Sequence, residues 1–254
     1  MRQAMLNHPG MAEFDVMAEA YDAMINWERR LANETPLLRW VIEQARAKSV
    51  LDAACGTGRH AAMLASWGLR VQGADLSAEM IEWCRGRHGE GKTGMLSWAQ
   101  RSFTEKAPEP WDVVICTGNS LALAGKLGVI EQGIKAMAES ATRALMLHVV
   151  NIYGRPDGPV VWDKSMRVRL KGGEHLLQKG IHRCAGRGYV DFVLTSLQSF
   201  EVTTRCAEFV GLRRNWLEEQ LRGNGFSRVQ CFGGYGRQEF DEGKSGDLIV
   251  IGIR

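Results

Sequence analysis

Residues 49–77 begin Ser49-Val50-Leu51-Asp52-Ala53-Ala54-Cys55-Gly56-Thr57-Gly58-Arg59-His60 and end Val71-Gln72-Gly73-Ala74-Asp75-Leu76-Ser77. Between them Ala61, Met63, Leu64 and Trp67 recur on one face of a helix, and Gly68 stops it. Val50 and Leu51 favour a strand. Gly56 and Gly58 let the chain turn tightly and present backbone to a ligand. Val71 to Ala74 make a second buried strand with Asp75 at its end. Strand, glycine turn, helix, strand and terminal acid are half of a doubly wound α/β fold.

The glycine spacing by itself admits two readings. Gly56-Thr57-Gly58-Arg59-His60-Ala61 satisfies the G-x-G-x-x-G/A pattern of dinucleotide sites, with Asp75 near the expected distance. That makes a nicotinamide-dependent oxidoreductase one alternative. An acid, Asp52, ends the first strand just before the turn, where dinucleotide turns usually carry an apolar residue or glycine. The run Asp-Ala-Ala-Cys-Gly-Thr-Gly, 52–58, resembles the first motif of class I S-adenosylmethionine-dependent methyltransferases, and Asp75 resembles their ribose-binding acid.

The rest of the chain extends that resemblance. Residues 1–11 read as irregular. From about Val16 apolar residues fall at helical spacing through Met17, Ala20, Tyr21, Met24, Ile25 and Leu31. A second helix is expected from Thr35 as N-cap, with Pro36 in its first turn. Ser77 caps a helix to about Arg87. Met95 to Ala99 reads as the third strand, Trp111 to Thr117 as a buried fourth, residues 127–141 as a helix, and Ala144 to Val150 as the fifth strand. The fourth strand runs into Gly118-Asn119-Ser120. That ending, and the stretch Tyr21 to Arg30, resemble the glycine N-methyltransferase branch of small-molecule methyltransferases.

Beyond the fifth strand Met166, Val168 and Leu170 alternate with Arg167, Arg169 and Lys171, and Gly172-Gly173 reads as a hairpin turn. Three or four antiparallel strands are expected there. Asn215 then caps a helix, with Glu218 completing a capping box. Arg228 to Phe232 and Leu248 to Ile253 finish the sheet. The expected organisation is an N-terminal helical lid over 1–45, a Rossmann-like core over 46–151, inserted strands over 152–212, and a closing helix with two strands over 213–254. The resemblance implies a seven-stranded, doubly wound sheet with its last strand antiparallel.

For the site, the resemblance implies S-adenosylmethionine as cofactor and methyl transfer to nitrogen or oxygen of a small polar metabolite. A non-catalytic module binding the same cofactor is a further alternative. Cofactor-binding positions are expected at Tyr21, Arg30, Asp52, Ala54, Gly56, Gly58, Asp75, Leu76, Gln100, Thr117 and Asn119. Asp75 takes the ribose hydroxyls, Asp52 the methionyl ammonium, Ala54 and Thr117 offer carbonyls near it, and Arg30 pairs with the carboxylate. Gln100 stands where the family often has an acid for the adenine amino group. Catalytic candidates are Tyr21, His148 and Asn119, with Asn151 nearby. The branch grips its substrate carboxylate with an arginine near the end of the fifth strand. That position is about Val150 here, and Arg155 and Arg167 are the basic alternatives.

Bulk properties narrow the class further. With 254 residues, 45% hydrophobic, the chain suits one globular domain. A net charge of +3, from 32 basic and 29 acidic side chains, is too balanced for a nucleic-acid footprint. No Asn/Asp-Pro-Pro-Tyr/Phe run follows the fourth strand, as base methylation would require. The six cysteines are scattered with no C-x-x-C pair, so no metal site and no disulfide framework are expected, and a reducing cytoplasm is the simplest location. No apolar run is long enough to span a membrane. The expected partner is the small methyl acceptor, with the chain a monomer or homo-oligomer.

Overall fold

The structure is a computed structural model, and it describes residues 19–20, 22–89 and 94–254. Its elements, in chain order, are α1 (Trp27–Ala45), β1 (Ser49–Asp52), α2 (Arg59–Ser66), β2 (Arg70–Asp75), α3 (Ala78–His88), β3 (Leu96–Gln100), β4 (Trp111–Cys116), α4 (Leu127–Ser140) and β5 (Ala141–Val150). Then follow β6 (Trp162–Leu170), β7 (Gly173–Cys184), β8 (Arg187–Ser196), β9 (Val202–Phe209), α5 (Arg214–Gly223), β10 (Arg228–Phe232) and β11 (Asp247–Ile253).

Seven strands form one sheet in the order β10-β11-β5-β4-β1-β2-β3. Only β11 runs against its neighbours, pairing antiparallel with both β5 and β10. The strand order reverses at β1, which has β2 on one side and β4 on the other. A crevice opens outside the carboxyl ends of the strands at such a reversal. The central strands are apolar on both faces because both faces are covered. Leu51, Val114 and Leu145 pack into one core with α4 and α5. Val50, Val113 and Met146 face the other way, into a core with α1, α2 and α3.

The inserted strands number four and form a separate antiparallel sheet, β6-β7-β8-β9. The expected hairpin joins β6 to β7, with its turn one residue earlier than expected, at Lys171-Gly172, because Gly173 of β7 already pairs with Leu170. A second tight hairpin joins β7 to β8 through Ala185 and Gly186, both at positive φ, the backbone that two-residue hairpins require. Val168, Leu170, Leu177 and Leu194 of this sheet pack against Ala20 and Met24.

Two helix starts differ from the sequence reading. Thr35 does not open a helix: α1 begins eight residues earlier, capped by Asn26, whose side chain accepts from the Arg29 amide at 3.0 Å. Pro36 therefore lies inside α1. It removes a single helix bond, and the Thr35 hydroxyl turns back onto the Leu31 carbonyl at 2.7 Å. Likewise α5 starts at Arg214 with no side-chain cap. Glu218 forms no capping box because Arg214 and Arg222 hold its carboxylate at 2.7 and 3.0 Å. By contrast Ser77 caps α3 as expected, accepting from the Met80 amide. Tyr21 and residues 1–18, with much of the expected lid helix, lie outside the described residues.

Candidate functional site

The crevice holds a cavity of about 320 Å³, within the size range of small-molecule sites. Its floor is the β1–α2 turn, residues 54–57, with Asp75 and the Thr117–Ser120 turn. Trp27 and Arg30 of α1 and His60 of α2 close one side. Lys179, Ile181, Val190, Phe192 and Phe209 of the four-stranded sheet close the other.

The turn geometry explains the glycines. Gly56 and Gly58 have φ of +51° and +74°. A methyl group on Gly58 would lie 2.6 Å from the Trp98 ring and 2.8 Å from the Cys84 sulfur. The Gly56 amide donates to Asp75 Oδ2 at 2.9 Å, and the Ser77 amide to Asp75 Oδ1 at 3.0 Å. Each carboxylate oxygen has a second lone pair, so Asp75 is held in place yet can still accept from a ligand.

Asp52 is fully buried, and neither carboxylate oxygen has a hydrogen-bond partner among the described residues. Burial pushes its pKa up to about 6, against the pull of His60 and with added repulsion from Asp75 and Glu34. The Ala54 amide lowers it somewhat but falls short of hydrogen-bond geometry. An unpaired buried acid is costly. Asp52 is not in the cavity lining itself; it precedes the turn, residues 54–57, that floors the cavity.

Beside it lies a network that the sequence reading missed. His60 Nε2 bonds Glu34, and Arg30 Nε donates to the other Glu34 oxygen at 2.8 Å. Burial raises the Glu34 pKa, but His60 and Arg30 more than offset it, leaving the carboxyl below its usual range. Trp27 stands edge-on to the His60 ring, and the Arg30 guanidinium lies 5.1 Å from the Trp27 centroid. Arg30 thus reaches the cavity as expected, with Glu34 as a partner. Only part of the network is local in sequence: Arg30 and Glu34 are one helical turn apart, whereas His60 lies 26 residues beyond Glu34.

The other expected positions separate. Ala54, Thr117 and Asn119 line the cavity. Asn119 sits at φ +72° and its side-chain oxygen accepts from the Val150 amide at 2.9 Å, leaving its amide NH2 as the group it can offer. Leu76 and Gln100 are outside the lining; the Gln100 amide donates to the Leu76 carbonyl at 3.3 Å, and Leu76 is 70% exposed. His148 does not line the cavity. Its Nδ1 accepts from the Gly118 amide at 3.1 Å, which puts the ring proton on Nε2, facing Asp247 at 3.1 Å. Both nitrogens are engaged in bracing the Gly118–Asn119 turn, so His148 has none to offer as a general base. Asn151 is buried, donating to the carbonyls of Glu242 and Ser245, a structural role. Val150 lines the cavity, whereas Arg167 points outward from β6 and Arg155 pairs with Asp163. Among the described residues no cluster of His, Cys, Asp and Glu is arranged to hold a metal ion.

Comparison with known proteins gives this geometry a context. Residues 50–143 match the family model described as a methyltransferase domain. The glycine/sarcosine N-methyltransferase of Aphanothece halophytica is 36% identical over 106 residues, 40% of this chain and 39% of that protein. The match thus spans about two fifths of the curated relative's length. Among solved structures, DesVI of Streptomyces venezuelae superposes with a TM-score of 0.71 at 16% identity, covering 97% of this chain and 99% of that one. The sugar N-methyltransferase KedS8 of a Streptoalloteichus species does so with a TM-score of 0.71 at 17% identity, covering 100% and 98%. At such identities the structural likeness speaks for the fold.

Proposed function

We propose, from the match of residues 50–143 to a methyltransferase domain, that the chain is a class I enzyme that transfers a methyl group from S-adenosylmethionine to a nitrogen or oxygen of a small polar metabolite. The observation that carries this reading is Asp52, a buried carboxylate without a partner beneath a cavity floored by a glycine turn. A dinucleotide offers no cation to that position, whereas the methionyl arm of the donor carries an ammonium. The names of the similar N-methyltransferases support nitrogen as the attacking atom.

The residues fit the donor chemically. Asp75 accepts the ribose hydroxyls, and charge-assisted bonds of that kind contribute roughly 1.5–3 kcal/mol each. Gly56 and Gly58 let backbone approach the nucleoside, Ala54 and Thr117 line the floor, and Leu76 and Gln100, beyond Asp75 and outside the cavity lining, are assigned to the outer edge of the adenine. Arg30 meets the donor carboxylate while Glu34 holds its other side. Bound there, S-adenosylmethionine supplies an electrophilic methyl on a sulfonium sulfur.

The protein's part is then to align the acceptor with that carbon and exclude water. Such positioning can supply about 7–11 kcal/mol of the barrier. Asn119 offers its amide to orient the acceptor. A neutral amine needs no general base, consistent with the engaged nitrogens of His148. Tyr21 is retained as a candidate at the methyl group. We assign donor binding to residues 46–151 and 213–254, acceptor contacts to 152–212 and closure to 1–45, and place the protein in the cytoplasm. Among the described residues no helix is long and apolar enough to cross a membrane.

Calorimetric titration tests the reading first. S-adenosylmethionine and S-adenosylhomocysteine are expected to bind at micromolar levels and nicotinamide dinucleotides negligibly. Dinucleotide binding without donor binding overturns it. A mass-spectrometric screen for donor-dependent products over amines, amino acids, phenols and sugars then finds the acceptor.

A further inference from the structure

A second cavity, of about 710 Å³, adjoins the first, and the two share Arg30, Lys179 and Ile181 in their walls. Its described charged residues are Arg29, Arg30, Arg155, Lys164 and Lys179 against one acid, Asp163. Most of these cations have a partner. Arg30 bonds Glu34, Arg155 bonds Asp163 and the Ile181 carbonyl, and Lys164 donates to the Met24 carbonyl.

Lys179 differs. Along β7, Leu177, Lys179 and Ile181 face the same way, opposite Leu194, Phe192 and Val190 of β8. On the other side β6 sets Lys164 directly opposite Lys179, so two ammonium groups share this part of the face. Lys179 makes no hydrogen bond or ion pair among the described residues and stands 5.8 Å from the Phe192 ring centroid. Burial lowers its pKa, Asp163 opposes that shift, and Lys164, Arg30 and Arg155 add to it. A half-buried lysine held against Phe192 on one side and Lys164 on the other costs stability that an arriving anion would return.

We infer that Lys179 receives an anionic group of the methyl acceptor, so that the acceptor is an anionic amine or alcohol. Its carboxylate or phosphate lies in the second cavity and its apolar part against Ile181, Val190 and Phe192. This rests on the methyltransferase reading, and it answers a gap in the sequence. The fifth strand ends in Val150, which lines the first cavity and brings no charge to it. The cation comes instead from the neighbouring sheet. Lys179 is a specificity residue that reaches the acceptor away from the reacting atoms.

The test uses the full chain and three probes of one shape, titrated by calorimetry with and without S-adenosylhomocysteine: 3-phenylpropionate, 2-phenylethyl phosphate and neutral 3-phenylpropionamide. The expected result is an anion preference of about 10- to 100-fold over the amide. Lys179→Met should abolish it and Lys179→Arg should retain it, with melting temperatures showing that both variants fold. A stronger phosphate signal identifies a phosphorylated acceptor, and a stronger carboxylate signal a carboxylic one. No anion preference in the wild-type chain, or a preference that survives Lys179→Met, overturns the inference. Failure of S-adenosylhomocysteine to bind overturns the methyltransferase reading instead, and the probes titrated alone still decide the role of Lys179.

Discussion

At Gly58 the backbone and the space around it agree. Positive φ strains any side chain, and a methyl there would stand 2.6 Å from Trp98. Gly58→Ala combines backbone strain with overpacking and is expected to cost about 2–4 kcal/mol. Nothing lies within 4 Å of the same position on Gly56, so Gly56→Ala should lose only about 1 kcal/mol of backbone strain. Urea midpoints of the two variants check the contrast; equal losses would mean the Trp98 contact yields freely. Asp75→Ala, at a strand end, should leave folding intact and weaken S-adenosylhomocysteine by about 10- to 100-fold. Unchanged affinity in calorimetry would remove Asp75 from the ribose. These residues were legible in the sequence because a turn glycine and a strand-terminal acid are local signals. Glu34 and His60 were not, since 26 residues separate the partners of that bond. Lys179 was half legible: the period of two puts it on the face of Leu177 and Ile181, but only the folded sheet aims that face at the crevice.

At the scale of elements, residues 22–34 meet α2 at the site, while Leu37, Leu38, Val41 and Ala45 bury the rest of α1 in the core. Glu34 of α1 bonds His60 of α2, and Asp22, preceding α1, pairs with Arg59 of α2 at 2.7 Å. Trp27 packs between these attachments, its ring 5.6 Å from the Arg59 guanidinium. A segment held by a few polar contacts beside a cavity is suited to open and close over a ligand. Closure is accordingly expected to show in amide exchange: S-adenosylhomocysteine should slow residues 22–31 selectively, while β4 and β5 stay slow throughout. Protection that ignores the ligand would make this a structural segment only. The sequence periodicity found helix here but misplaced its start. Thr35-Pro36 is a strong local start signal, yet Asn26 caps earlier and burial of Leu37, Leu38 and Val41 carries the helix through the proline. The capping box at Asn215 failed for the same kind of reason, because two arginines compete for Glu218. The inserted strands, three or four by the sequence and four in the structure, were readable from period-two alternation and turn residues, whereas the antiparallel final strand came from the family resemblance alone.

At the scale of the whole molecule, the proposed contact between Asp52 and the donor ammonium predicts that stability and donor binding are coupled. In the free protein burial raises this carboxyl to about 6 from 3.8. A raised acid binds its proton more tightly when folded. Its ionisation therefore costs stability as pH rises from about 4 to 6, by about 3 kcal/mol in full. The ammonium of a bound donor favours the ionised form, so binding requires the proton to leave. Donor affinity should then be flat above pH 7 and fall as pH drops through about 6, to about tenfold weaker at pH 5. At a fixed S-adenosylhomocysteine concentration well above its Kd, that loss of about 1.4 kcal/mol should shrink the ligand-induced rise in Tm by about 3–6 °C. Measuring the rise, rather than Tm itself, separates Asp52 from Glu34. The lowered carboxyl of Glu34 contributes stability above its unfolded pKa that is lost as pH falls, in free and bound protein alike. In Asp52→Asn the rise should be smaller at pH 7 and nearly the same at pH 5 and 7. A ligand-induced rise that does not change between pH 5 and 7 in the wild-type chain would mean either that Asp52 is already ionised without the donor or that its cation is not the methionyl ammonium.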